Sequence, residues 1–212
     1  MPSQGQRFIP SSAEDVLRRR VKAELRKRMR GLRKALPLQA CTERSNRISD
    51  RLQALAPFAR ARAVALFWPI EERHEVDLRP LSASLRDRGL QVAFPLIDPE
   101  TGVMTFHFVK DTDRMIGEAS GLHEPSPEEP LALPGTLDAI VVPTLALDPR
   151  GHRIGYGRGY YDRTLPAFAP PASTIAVAFD FQLLAEVPNT EGDVRVGWVV
   201  TDARTLEAHE PS

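Results

Sequence analysis

The chain has little cysteine, no excess charge of either sign and no long apolar run. Of its 212 residues only Cys41 carries a thiol, so no disulfide can form within one chain, and this usage favours a reducing, cytoplasmic location. Lysine and arginine together number 28, as do aspartate and glutamate, and this balance argues against a protein that coats nucleic acid. No segment is apolar over the length that a bilayer requires, so no membrane partner is expected.

Metal-binding signatures based on histidine are also lacking. The five histidines are scattered, and none lies in an H-E-x-x-H pattern or beside paired cysteines, so a tightly held zinc site is not expected. The hydrophobic fraction of 42% is nevertheless enough for a sizeable core, which excludes a wholly disordered chain. The length suits one domain, predicted over residues 13–212 after a flexible N-terminal tail of residues 1–12.

The most informative segment is a basic, glycine-rich stretch at residues 148–165, DPRGHRIGYGRGYYDRTL. It follows an apolar run of strand length, residues 137–143, and leads into a short predicted helix at residues 162–168. Glycine lets backbone N–H groups approach an anion closely, arginine supplies charge suited to phosphate, and a helix N-terminus adds its dipole. The pattern is not G-x-x-x-x-G-K-[ST], but it favours a nucleotide phosphate site over an ordinary glycine-rich surface turn.

A basic helix is predicted from Ala13 to Leu36, ending at Pro37. Its apolar residues recur at intervals of three or four and predict one buried stripe, formed by Leu17, Val21, Leu25, Met29, Leu32 and Leu36. Its many cations are expected on the remaining, solvated surface. Lys22 and Arg26 lie one turn apart and could jointly contact a phosphate.

The rest of the chain alternates between helices and strands. Further helices are predicted at residues 42–56 and 77–88, the second capped by Asp77 and ended by Gly89. Strands are predicted at residues 63–68, 91–97, 103–109, 137–143, 173–179 and 196–200. This alternation predicts an α/β fold, a three-layer α/β/α sandwich with a mostly parallel sheet in a single domain. Ligands of such folds bind beyond the carboxyl ends of the strands.

Five segments, taken in chain order, resemble motifs of the 5-formyltetrahydrofolate cyclo-ligase family. KAELR at residues 22–26 is similar to the family's K-x-x-L-R, and FWP at 67–69 with EVD at 75–77 is similar to its first strand end and E-V-D segment. GLHEP at 121–125 is similar to G-x-x-E-P, and RIGYGRGYYDR at 153–163 is close to the signature R-x-G-x-G-x-G-Y-Y-D-R. Asp193 lies where the family has a late acidic residue. The glycine signature is the most specific of these, and the resemblance spans nearly the whole chain after the tail.

The resemblance implies conversion of 5-formyltetrahydrofolate to 5,10-methenyltetrahydrofolate, dependent on ATP and Mg²⁺. ATP would phosphorylate the formyl oxygen, the N10 amine would attack the activated carbon, and ADP and phosphate would be released. By the same resemblance, ATP would be bound by Lys22, Arg26, Arg153, Gly155, Gly157, Arg158, Gly159, Tyr160 and Tyr161. The folate would be bound by Trp68, Glu75, Tyr156 and Tyr161. The catalytic residues would be Arg153, Arg158 and Tyr161, and Mg²⁺ would be held by Asp162 and Asp193, since hard oxygen ligands suit that ion.

Alternative hypotheses remain open from the sequence. A sugar-phosphate isomerase or CoA-transferase-like enzyme on a related fold would use the glycine-rich segment for a substrate phosphate, without ATP. An RNA-binding module would use the cations from Arg18 to Lys34, but the neutral net charge and the lack of an aromatic platform count against it. Asp162 could be only a helix N-cap, and Trp68 could be only core packing. The expected partner is therefore a small-molecule substrate, with no nucleic acid and no membrane, and the protein is expected to be a monomer.

Overall fold

The computed structural model describes residues 13–117 and 121–208, so the predicted tail lies outside the described residues. In chain order the helices are α1 (Ala13–Lys34), α2 (Leu38–Ala54), α3 (Ala56–Ala59), α4 (Arg79–Asp87) and α5 (Tyr160–Phe168). The strands are β1 (Ala63–Ala65), β2 (Gln91–Ile97), β3 (Met104–Phe108), β4 (Ile116–Gly117), β5 (His123–Glu124), β6 (Ala139–Pro143), β7 (Ala146–Leu147), β8 (Arg153–Ile154), β9 (Ser173–Ala178), β10 (Trp198–Thr201) and β11 (Thr205–Glu207). None of the described helices combines the length and apolarity needed to cross a membrane.

Seven of the described strands form one sheet in the order β11–β10–β9–β6–β1–β2–β3. The inner strands β10, β9, β6, β1 and β2 pair in parallel, and the two edge strands pair antiparallel. Helix α4 connects β1 to β2 and α5 connects β6 to β9, as parallel neighbours require. The mostly parallel sheet predicted from the sequence is confirmed, and the carboxyl ends of its parallel strands share one edge.

Alternating side chains of the inner strands pack into two cores, one on each face of the sheet. Val64 and Val141 pack with buried residues of α2 and α4. Their neighbours Ala65 and Val142 point to the other face and pack with Leu165 of α5. Since successive side chains of a strand alternate between faces, helices cover both sides of the sheet. The three-layer α/β/α architecture is therefore confirmed.

Helix α1 buries only part of the apolar stripe that its sequence predicts, chiefly Met29 with Leu25 packed beside it. Leu17 and Leu32 are 60% and 44% exposed, whereas Lys22 and Arg33 are 5% and 3% exposed. Met29 is buried on the same face as these two cations and packs against residues of β7 and β8. The prediction that the cations of this helix are solvated is therefore wrong for Lys22 and Arg33. A cationic face of the helix points toward the interior, where polar groups of neighbouring elements bind these cations.

Several element boundaries differ from those predicted. Strand β2 has the predicted bounds, but β1 ends at Ala65 rather than at residue 68. Helix α4 begins at Arg79, and Asp77 accepts a hydrogen bond from the Arg79 backbone N–H at 3.0 Å without being the N-cap residue. Helix α5 begins two residues early, with Gly159 as its N-cap, so the alternative role of Asp162 as the N-cap is wrong. The antiparallel strand β11 is not among the predicted strands.

Candidate active site

A cavity of about 820 Å³ lies at the edge of the sheet where parallel strands end. It is lined by residues that follow β1, by the ends of β2 and β6, by α1, and by the glycine loop, defined here as residues 155–159. Every residue that the sequence assigned to a site lines this one cavity: Lys22, Arg26, Trp68, Glu75, Arg153, Gly155, Tyr156, Gly157, Arg158, Gly159, Tyr160, Tyr161, Asp162 and Asp193. The fold therefore brings together residues that are as many as 171 positions apart in the chain.

Charge in the cavity is predominantly positive. The lining cations are Lys22, Arg26, Arg30, Arg73, Arg153 and Arg158. The lining carboxylates are Glu75, Glu124, Asp162 and Asp193. Because more cations than carboxylates line this cavity, it is suited to an anionic ligand.

The glycine loop packs directly against α1. Gly157 has a φ of 96°, and a Cβ at this position would lie 3.3 Å from the guanidinium carbon of Arg26. The Nε of Arg26 donates to the Gly155 carbonyl at 2.9 Å, while its two terminal nitrogens bond to no residue that the structure describes. Burial lowers the pKa of Arg26, although a nearby Asp193 charge opposes the shift. Arg26 is thus a partly desolvated cation with donors left for an anion, and it stays protonated.

Lys22 is anchored by the loop of residues 187–193. Its ammonium group donates to Thr190 Oγ1 at 3.0 Å and also to Asp193 Oδ2. The same carboxylate oxygen accepts the backbone N–H of Thr190 at 2.6 Å. An ammonium group has three donors, so Lys22 keeps one for a ligand in the cavity.

Asp162 joins α5 to the segment that follows Asp193. Its Oδ1 accepts hydrogen bonds from Arg153 at 2.9 Å and from the backbone N–H of Val194 at 3.0 Å. Arg153 also donates to the Val194 carbonyl, and only 5% of its side chain is exposed. Arg153 therefore fixes the geometry of the site, in addition to the roles that the resemblance assigns to it.

Asp162 and Asp193, the two aspartates that the resemblance assigns to Mg²⁺, both line the cavity. The Oδ2 of Asp162 and the Oδ1 of Asp193 accept no hydrogen bond from the described residues, and their side chains are 28% and 25% exposed. Within residues 13–117 and 121–208, no group of three or more histidine, cysteine, aspartate or glutamate residues could hold a metal ion. Mg²⁺ commonly uses one or two carboxylates together with substrate phosphates and water. The donor set therefore suits Mg²⁺ bound with a phosphate ligand, and not a metal held by protein alone.

Glu75 lies at the centre of a buried polar network. Its Oε2 accepts the backbone N–H of Ile70 at 3.0 Å, and its Oε1 accepts the Tyr156 hydroxyl and lies 3.6 Å from the Arg33 guanidinium. Arg33 also donates to the Tyr156 hydroxyl. Burial, followed by the Glu75 charge, raises the pKa of Tyr156, so the phenol remains a donor. Each Glu75 oxygen has further acceptor capacity, which leaves this carboxylate able to bind a ligand N–H group.

Aromatic side chains form another part of the wall. Trp68 packs edge-on against Phe94, with ring centroids 5.7 Å apart, and its ring lies 6.1 Å from that of His123. Trp68 therefore belongs both to the edge of the core and to the cavity, so the two hypotheses for it are compatible. The Tyr161 hydroxyl is buried and makes no hydrogen bond to the described residues, and burial raises its pKa. A buried hydroxyl without a partner at a cavity wall indicates a position for a ligand acceptor.

Sequence reasoning missed several residues of the cavity. Arg73 lies with its guanidinium 4.8 Å from the Tyr156 ring centroid, and Glu124 is buried and accepts the Ile97 backbone N–H at 3.1 Å. Glu124 belongs to the G-x-x-E-P segment, so the resemblance pointed to this residue, although no role was assigned to it. Arg30 lines the cavity, and Arg33 lies behind it beside Glu75. Both could have been found from their helical spacing to Lys22 and Arg26, since residues four, seven or eleven apart share a helix face.

Comparison with known proteins decides the family. The model that describes the 5-formyltetrahydrofolate cyclo-ligase family matches residues 18–202. This chain belongs to that family. This chain is 29% identical over 182 residues to the 5-formyltetrahydrofolate cyclo-ligase of Escherichia coli (strain K12), and the match covers 84% of this chain and 99% of that relative. It is 42% identical over 95 residues to the Mycolicibacterium smegmatis 5-formyltetrahydrofolate cyclo-ligase, covering 44% and 49%.

A solved structure supports the same conclusion. The NMR structure of Aquifex aeolicus 5,10-methenyltetrahydrofolate synthetase matches with a TM-score of 0.78 at 29% sequence identity, covering 91% of this chain and 95% of the other. The resemblance drawn from the sequence is thus confirmed, and the chain is an enzyme of the cyclo-ligase family. The roles of individual residues stay predictions, which now rest on a shared cavity and on defined contacts.

Proposed function

We propose that this chain uses ATP to convert 5-formyltetrahydrofolate to 5,10-methenyltetrahydrofolate in the cavity described above. The proposal rests mainly on one observation: a single cavity contains both a cationic, glycine-lined region and a region lined by Trp68, Glu75 and Tyr161. Family membership supports this activity over the isomerase, transferase and RNA-binding alternatives. The inward orientation of Lys22 and Arg33 also removes two cations from the surface that an RNA would contact.

The cationic region suits the phosphates of ATP. Lys22 and Arg26 keep donors that no described residue uses, and the N-terminus of α5 carries no side-chain cap. Uncapped N–H groups at a helix start, together with the helix dipole, favour an anion. Phosphoryl transfer depends chiefly on positioning and on neutralising charge, and these groups supply both.

The second region suits the folate. The Glu75 carboxylate can accept pterin N–H groups, and Arg33, Tyr156 and Ile70 hold it in one orientation. Trp68 and Tyr161 provide the flat apolar walls that a pterin ring requires. The formyl oxygen would take the terminal phosphoryl group of ATP, N10 would then attack the formyl carbon, and phosphate would leave, giving the methenyl product and ADP. The buried Tyr161 hydroxyl is available to donate to an oxygen of the substrate.

We propose that Asp162 and Asp193 hold Mg²⁺ through the oxygens that accept no other hydrogen bond. When bound, this ion would neutralise phosphate charge during transfer. Arg153 and Lys22 keep the two carboxylates in fixed positions by pairing with the opposite oxygen of each. The chain itself therefore orients the carboxylates before any ligand arrives.

A turnover assay that follows the methenyl product spectroscopically tests the proposal. We expect product from 5-formyltetrahydrofolate only when both ATP and a divalent cation are present, with ADP and phosphate formed in equal amounts. Protein treated with EDTA should be inactive until Mg²⁺ is restored. Full turnover without ATP would overturn the proposed reaction, and full turnover in EDTA would overturn the metal site alone.

A further inference from the structure

The loop of residues 187–193, which carries Asp193, is held by a chain of hydrogen bonds outside the cavity. Asp148 is fully buried and accepts the Val187 backbone N–H at 3.0 Å, and its Oδ2 lies 3.1 Å from His152 Nδ1. His152 Nε2 lies 3.0 Å from Asn189 Nδ2. Arg18 then donates to both the side-chain and the backbone oxygen of Asn189, each at 2.8 Å. The chain of contacts thus runs from the turn before β8, through the loop, to α1.

These contacts fit one tautomer of the neutral His152 ring. Arginine is purely a donor, so the Asn189 amide must present its oxygen to Arg18 and its NH₂ group to His152. Nε2 must therefore accept, while Nδ1 carries the proton and donates to the Asp148 carboxylate. The amide cannot turn over without losing the hydrogen bond that its side-chain oxygen accepts from Arg18.

The same contacts span the two elements that position Lys22. Arg18 lies one helical turn before Lys22 on α1, and Asn189 immediately precedes Thr190, which binds Lys22. We propose that His152 is a positioning residue which, in its neutral form and through Asn189, holds the 187–193 loop against α1 so that Lys22 and Asp193 stay in place. The assignment of ATP to the cavity rests on the proposed function. The contact between His152 and the 187–193 loop is independent of that function.

The charged groups around His152 come from three elements. Asp148 and Arg150 share its own turn, and Arg150 lies 3.6 Å from Asp148 and 3.0 Å from Glu186 on the following loop. On α1, Arg18 is paired with Glu14 at 2.6 Å. The His152 side chain is 13% exposed, so these contacts are largely shielded from water.

NMR of the protein with ¹⁵N-labelled histidine tests the coupling in the absence of ATP and folate. The neutral imidazole of His152 should show the tautomer with the proton on Nδ1. In His152→Asn, amide exchange in residues 187–193 should be faster than in the wild-type protein. A tautomer with the proton on Nε2, or loop exchange that is unchanged in the variant, would overturn the proposal.

Kinetics of His152→Asn test the consequence for the site. Asparagine can still donate to Asp148 but lacks the acceptor that faces Asn189, so the fold should be kept. Losing one hydrogen bond of this kind should raise KM for ATP by about three- to tenfold, with little change in KM for the folate.

Two further variants sharpen the result. Asn189→Ala removes both the donor that faces His152 and the side-chain oxygen that accepts from Arg18, so KM for ATP should rise at least as much as in His152→Asn. Arg20→Ala, an exposed cation on the same helix, should behave as wild type. A wild-type KM for ATP in His152→Asn would overturn the positioning role. If that variant does not fold, the tautomer of His152 in the wild-type protein and the kinetics of Asn189→Ala still decide. Wild-type protein that shows the expected His152 tautomer but no turnover would refute the proposed function and support the role of His152.

Discussion

Replacing Asp162 with asparagine removes one negative charge and keeps the shape of the side chain. The amide oxygen can still accept from Arg153 and from the Val194 backbone N–H, which now bond to Asp162 Oδ1. A hydrogen bond to a charged group contributes about 1.5–3 kcal/mol and a neutral one about 0.5–1.5 kcal/mol. Since the Asp162 side chain is 28% exposed, we expect a loss near the lower end of that difference, about 1 kcal/mol, or about 2–4 °C in Tm.

Activity should fall much more than stability. If Asp162 holds Mg²⁺ beside the transferred phosphoryl group, losing its charge should lower kcat at least tenfold, which corresponds to about 1.4 kcal/mol or more. Part of the rate should return at high Mg²⁺, because the weakened site can still be filled. Steady-state kinetics over a Mg²⁺ series, with a thermal melt of each sample, separate the two effects.

Asp180→Asn is a matched control. Asp180 is also a partly exposed carboxylate paired with an arginine, accepting from Arg204 at 2.8 and 2.7 Å and from Thr201 at 2.7 Å, but it does not line the cavity. This variant should lose a similar amount of stability and keep the wild-type kcat. If Asp162→Asn melts like the control and also turns over at near the wild-type rate, the metal role of Asp162 is refuted and anchoring of Arg153 is its whole role.

Three further outcomes are expected. Lys22→Ala should raise KM for ATP by about 10- to 100-fold, the equivalent of about 1.5–3 kcal/mol, with KM for the folate near the wild-type value. The control variant Lys27→Ala, at an exposed position, should keep both KM values near wild type. A raised KM for the folate alone would contradict the ATP role of Lys22. Glu75→Gln should weaken the binding of 5-formyltetrahydrofolate, measured by calorimetry, at least tenfold, because an amide NH₂ replaces one acceptor oxygen. An unaltered affinity would show that Glu75 does not contact the folate. Burial raises the pKa of Asp180, but hydrogen bonds and the charge of Arg204 outweigh it and leave the pKa lowered. Its stabilisation is therefore present above the unfolded-state pKa of about 4 and lost as the pH falls through the folded-state value, so the stability difference from Asp180→Asn should shrink in acid denaturation; a constant difference would argue against the pairing.

Local chemistry made much of this molecule predictable from its sequence. The bounds of β2 and the alternation of strands and helices follow from hydrophobic periodicity, which acts over a few neighbouring residues. The glycine loop could be recognised because Gly157 and Gly159 adopt positive φ values that other residues rarely adopt. The expected site residues lie in one cavity because the carboxyl ends of parallel strands share one edge of the sheet.

The orientation of α1 and the partners within the site were decided only by the tertiary structure. Hydrophobic periodicity assigns the buried face to the apolar stripe, but a polar cavity with carboxylates at its wall can bury cations instead. Lys22 is buried because Asp193 compensates its charge. Arg33 is buried because Glu75 compensates its charge and the Tyr156 hydroxyl accepts one of its hydrogen bonds. Such pairs join positions far apart in the chain, so no local pattern encodes them. The sequence by itself determined the family, the layers and the loop, while three-dimensional packing determined which charges are buried and what each one holds.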